Sequence, residues 1–146
     1  MSITPQSRRT DAETQKQVGT RPRREDGEHA ELTQEVIGCS IEVHRAIGPG
    51  FPERIYARAL QCELSERNIP FTTEHPVRVT YKNQLLGSHR LDLVVADIVV
   101  VELKAVYLIN NFHVAQMLSY LKASGKHVGL ILNFSRSTLE IRRVVW

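Results

Sequence analysis

With 146 residues, of which 42% are apolar and 24% charged, the chain has room for one domain with a real core and not for two ordinary ones. Its apolar runs are too short to span a membrane, no signal-peptide core follows Met1, and its two cysteines and six histidines lack the spacing of a structural zinc site. A net charge of +3 permits a polyanionic partner without arguing for one.

Residues 1–30 hold six Lys/Arg against five Asp/Glu and almost nothing apolar. They are expected to form a disordered arm, with "RPRRED" a mixed-charge patch, ahead of a single folded domain over residues 31–146. A first helix is expected from Thr33, an N-cap by residue type, to Ile47. Val36, Ile37, Ile41, Val43 and Ile47 recur at helical spacing, and Gly48 is a natural stop. After "GPGF" a second helix starts at Pro52, with Ile55, Tyr56, Ala59, Leu60 and Leu64 as its buried stripe. Cys39 and Cys62 fall inside these helices and are expected to be reduced core thiols, which suits a cytoplasmic protein.

Beyond Pro70 the period changes to two. Val77, Val79 and Tyr81 alternate with Arg78 and Thr80, and "KNQ" reads as a turn. "HRLDLVV" and "IVVVELKAV" follow as a β-hairpin, the second strand apolar on both faces and therefore central. A third helix is expected from Asn111 to Ala123, stopped by Gly125, then a buried strand "HVGLILNF" and a short last strand "LEIRRVVW". The order α-α-β-β-β-α-β-β, with a helix crossing between two buried strands, predicts an α/β fold: a mixed β-sheet flanked by helices.

Glu102 and Lys104 interrupt a run that should be core, and Asp92 interrupts the strand before it. Burying unpaired charge is expensive, so these residues need partners or a ligand. A hairpin centred on Asp97 puts Asp92 opposite Glu102, with Cβ atoms about 4.5–5.5 Å apart. Two carboxylates that close repel unless a cation or a proton lies between them, and a hard divalent cation suits the gap. A two-residue turn would instead put the acids on opposite faces. The bland alternative is a structural network in which Lys104 neutralises one acid and solvent takes the other.

Asp92, nine intervening residues and "ELK" at 102–104 resemble the D…(D/E)-x-K core of the PD-(D/E)XK nuclease superfamily, and the element order resembles its restriction-endonuclease-like core. Gly50, Glu53 and Tyr56 spell G-x-x-E-x-x-Y. With "EVHRAIGPGF", "RLDLVV", "VVELKAV", "AQMLSYLK" and "GLILNF", the chain from about residue 32 onward looks like the bacterial and archaeal GxxExxY protein family. The resemblance implies a nuclease that uses Mg²⁺ or Mn²⁺ and acts on DNA, single- or double-stranded, with no membrane partner and with homo-oligomerisation left open. It implies Asp92, Glu102 and Glu53 as metal ligands and Lys104 as the residue that orients or activates water. Gln116 and Tyr120 match the Q-x-x-x-Y motif of the RecB-like branch and would touch substrate. Pro52 departs from the family's usual aliphatic residue.

Glu53 by itself is equally a favourable first-turn acid. His113, Gln116 and Tyr120 share one face of the third helix, while His44 and Asn133 read as structural hydrogen-bonding residues. The rival to a nuclease is a catalytically weak or inactive nucleic-acid- or protein-binding module on the same fold. A structural subunit whose arm docks a partner is a third reading.

Overall fold

The computed structural model describes residues 27–146, so residues 1–26 of the expected arm lie outside the described residues. Helix α1 spans Ala30–Ile47 and begins three residues before Thr33. Thr33 is therefore not its cap. That place belongs to His29, at φ 57, whose side chain caps nothing, while the Thr33 hydroxyl bonds back to the carbonyls of His29 (3.2 Å) and Ala30 (3.0 Å). Arg143 donates to the Glu28 carbonyl at 2.5 Å and ties the turn ahead of the helix to the C-terminal strand. The buried face runs through Val36, Cys39, Val43 and His44. Ile41 and Ile47, expected in the stripe, stand beside it, 43% and 37% exposed.

Helix α2 spans Glu53–Glu66, with Pro52 as its cap rather than its first residue. Tyr56, Leu60 and Leu64, four residues apart, form its buried ridge. Cys62 lies off that ridge and is exposed, so only Cys39 is a core thiol; both are free. The turn between the helices needs glycine for its backbone and not for space. Gly48 (φ 67) and Gly50 (φ 111) are left-handed, and an added Cβ at either would meet nothing within 4 Å.

Tyr56 holds this turn in place. Its hydroxyl donates to the Gly48 carbonyl at 2.6 Å and accepts from the Phe51 amide at 3.2 Å, while its ring stacks on Phe134 with centroids 4.5 Å apart. Tyr56→Phe removes one atom and two bonds, and is expected to lower stability by about 1–2 kcal/mol in urea melts. A midpoint equal to that of the wild type would show that solvent replaces the hydroxyl.

The remaining elements are β1 (Phe71–Tyr81), β2 (Gln84–Val95), β3 (Val99–Lys104), α3 (Asn111–Ser124), β4 (Val128–Asn133) and β5 (Glu140–Val145). They form one sheet in the order β1-β2-β3-β4-β5, parallel between β3 and β4 across the α3 crossover and antiparallel elsewhere. This is the mixed α/β architecture that the element order predicts. The sheet separates two apolar clusters. The larger joins α1 and α2 to Leu93, Val101 and Leu103; the smaller joins α3, through Met117 and Leu121, to Val94, Val100 and Ile131.

The β1–β2 ribbon, closed by a Lys82–Asn83 turn (φ 47 and 62), runs far beyond β3. Of the alternating residues of β1, Val77 is buried in the smaller cluster, whereas Val79 and Tyr81 lie on the projecting part and are exposed.

Candidate active site

Three residues, Ala96, Asp97 and Ile98, close the β2–β3 hairpin, with Leu93, Val94 and Val95 opposite Val101, Val100 and Val99. The register is the one centred on Asp97, and it sets Asp92 against Glu102. There the backbone ladder stops, because the two carboxylates take over its amides. Glu102 Oε1 accepts from the Asp92 amide at 3.2 Å, and Asp92 Oδ2 accepts from the Leu103 amide at 2.9 Å. The alternation of β2 also breaks here. Leu93 packs on the α1/α2 side and Leu91 on the α3 side, with Glu74 on the neighbouring strand in the left-handed region (φ 48).

Glu102 is 6% exposed. Burial, and then the charge of Asp92, push its carboxyl up to about 8, against the Asp92 amide bond and the Lys104 charge, which favour ionisation. Lys104 does not neutralise the pair. Its ammonium donates to Gln116 Oε1 at 3.0 Å, and among the described residues it makes no ion pair with either acid. The alternative network around Lys104 does not form among the described residues, and the helix that follows β3 supplies its partner.

Tyr120, one turn beyond Gln116, stacks on His89 of β2 with centroids 4.0 Å apart and planes 12° from parallel. Burial, followed by the charges of Glu102 and Asp92, raises its hydroxyl to about 12, so it stays a neutral donor over the working pH range. His113 serves a different purpose. Its ring accepts from the Asn110 amide in a reciprocal cap at the start of α3.

Glu53 is directed at the same end of the sheet. Its Oε1 accepts from the Ala105 amide at 3.2 Å, just beyond Lys104, so it is more than a dipole partner for α2. It approaches from the opposite face, however, and does not close on the acid pair. Among the described residues no group of three Asp, Glu, His or Cys side chains stands ready to hold a metal ion. The pair that is present still fits a cation of the Mg²⁺ type, which takes one or two carboxylates and fills its remaining positions with water and phosphate oxygens. Burial first, and the Asp92 charge second, keep the Glu102 carboxyl protonated at neutral pH, and a bound cation would take the place of that proton.

Two polar residues underpin the site. Asn133 is 0% exposed. Its Oδ1 accepts from the Val106 amide (3.1 Å), and its Nδ2 donates to the Val106 carbonyl (2.8 Å) and to Glu140 Oε1 (3.0 Å). Glu140 Oε1 also accepts from the Ile109 amide at 2.9 Å. Burial alone would raise the Glu140 carboxyl, but these hydrogen bonds and the nearby Arg136 and Arg142 hold it below the usual range. Glu140 is the lone acid of the last strand, beside Arg142 and Arg143, and the sequence carries no stronger signal for it. His44 is structural as expected, though it binds the Arg136 carbonyl (2.8 Å) and not the glycine turn.

No curated protein and no solved structure matches the chain. A model of the PD-(D/E)XK nuclease superfamily matches residues 30–144, from the first residue of α1 almost to the end of β5. That span carries both opposed acids, the lysine two residues on and the helix that receives it. The chain belongs to the PD-(D/E)XK nuclease superfamily.

Proposed function

We propose that the protein is a cytoplasmic Mg²⁺- or Mn²⁺-dependent deoxyribonuclease of the GxxExxY group, acting from strand ends, with the residues ahead of Gly27 as an arm on the nuclease domain. The reading rests on one observation: Asp92 and Glu102 are opposed on the face where Lys104 meets Gln116. The superfamily match supports hydrolysis of nucleic acid, and Gly50, Glu53 and Tyr56 support the narrower grouping.

Asp92 and Glu102 would hold the cation. Bound there, it would supply Lewis-acid stabilisation of phosphate charge and a more acidic attacking water. Lys104, pinned by Gln116, keeps its ammonium beside the scissile phosphate, where it neutralises developing charge and orients the water. Tyr120 donates its hydroxyl proton in a hydrogen bond to a phosphate oxygen. Glu53 fixes the backbone that follows Lys104.

Linear DNA should be cleaved in Mn²⁺, closed circles much less, and Lys104→Ala should lower the rate by roughly 10²-fold or more. Equal rates for wild type and Lys104→Ala would refute the assigned chemistry, and equal cleavage of circles and linear DNA would refute the end preference. Glu53's engagement with a backbone amide, apart from the acid pair, favours a second reading: a binding module without useful turnover. Under that reading Mn²⁺ produces no cleavage while DNA still binds.

A further inference from the structure

The loop that leaves the lysine strand carries an unusual side chain. Tyr107 is 89% exposed, and Phe112, on the first turn of α3, is 69% exposed. Large aromatic rings in water are unfavourable, and a loose loop would let them fold back onto the protein. This loop is not loose. Val106 is gripped at both its amide and its carbonyl by Asn133. Ile109 is held by Glu140 at its amide and is 2% exposed in the smaller cluster. Asn110 then caps α3 through the amides of Phe112 and His113. Tyr107 and Phe112 are thus displayed from a fixed backbone, with most of the ordering entropy already spent.

Their position narrows the occupant. Tyr107 lies two residues past Ala105, the residue bound by Glu53. Phe112 lies one helical turn before Gln116, the partner of Lys104. Both rings are therefore displayed from the short stretch of chain that joins Lys104 to its partner Gln116, beside the site. A protein partner covering them would close off the chemistry, whereas a nucleic-acid strand entering the site must pass over them. Stacking on flat rings suits bases that are unpaired and tolerates any sequence.

We propose that Tyr107 and Phe112 form a stacking platform for unpaired bases, so that the strand delivered to the site is single-stranded DNA. The assignment rests on the nuclease reading of the same site and names its substrate form. Both rings are solvent-exposed, so their removal leaves the core intact.

Binding is measured by fluorescence anisotropy in EDTA, with labelled oligothymidylate and a blunt duplex of equal length, alongside Mn²⁺ cleavage of both. Tyr107→Ala and Phe112→Ala should each weaken oligothymidylate binding by roughly fivefold to 150-fold. Duplex affinity should stay nearly constant, and Tyr107→Trp and Phe112→Trp should retain single-strand affinity. Alanine variants that bind oligothymidylate like the wild type would overturn the proposal, as would an equal loss on the duplex. A wild type that dimerises in sedimentation while Tyr107→Ala/Phe112→Ala is monomeric would assign the rings to self-association and overturn it too. Aromatic-dependent binding without cleavage would sustain the platform and defeat the nuclease reading. Lys104-dependent cleavage of duplex that ignores both rings would do the reverse.

Discussion

Glu102→Gln is expected to melt above the wild type in metal-free buffer near pH 8, and to lose cleavage by roughly 10³-fold or more. The two effects share one cause. The Glu102 carboxyl ionises near 8 in the folded protein, against an ordinary value of 4.5, because it is buried and faces Asp92. Between those values the folded state binds more protons than the unfolded state, so stability falls as pH rises through the window. Below about 4.5 both states are protonated and there is no penalty; above about 8 the penalty is complete. At roughly 1.4 kcal/mol per unit, and with part of the shift due to Asp92, the penalty near pH 8 is roughly 2–4 kcal/mol.

The amide of Gln keeps the acceptor for the Asp92 backbone and turns the repelling oxygen into a donor. A gain of roughly 5–15 °C follows, shrinking towards zero near pH 4.5. Mn²⁺ should stabilise the wild type and leave the variant unmoved. A variant that melts below the wild type near pH 8, or responds equally to Mn²⁺, would show that the acid pair is not poised for a cation.

Asn133→Ala is expected to destabilise by about 3–5 kcal/mol, more than any single truncation on the exposed rim. The substitution strips partners from the Val106 amide and carbonyl and from the Glu140 carboxylate at once, and leaves a void where the fully buried Asn133 side chain was. Glu140→Gln, which keeps the acceptor for the Ile109 amide, should lose only about 1 kcal/mol. Chemical denaturation of the two variants would separate them. Near-equal losses would mean that the charge of Glu140, and not the Asn133 geometry, holds the loop.

The element order and the Asp97-centred hairpin were legible because loop length fixes a hairpin's register, whereas the break in the alternation of β2 at Asp92 has no signal in the sequence. One residue of slip would have put the acids on opposite faces. Helix phase was less legible. Ile41 looks as buried as Val43 in sequence, yet Ser40 and His44 take inward positions because they find backbone carbonyls there. Thr33 and Cys62 were misassigned for similar reasons: cap preference and apolar character are local, whereas the turn docked by Arg143 and the α2 ridge are set by tertiary contacts. Glu53 was legible as a directed acid but not in its target, a backbone amide with no side-chain signature. The Lys104–Gln116 bond was hidden because it joins residues across the α3 crossover.

The partition of the apolar residues has a dynamic consequence. Of the two clusters, the one beneath α3 holds fewer buried side chains among the described residues than the one beneath α1 and α2. Partial detachment therefore costs least on the α3 side. Gln116 and Tyr120 ride on that helix, while Asp92, Glu102 and Lys104 belong to the sheet. On the proposed nuclease reading, an opening on the α3 side would part Gln116 and Tyr120 from Asp92, Glu102 and Lys104, so that a product would leave without disturbing the acids.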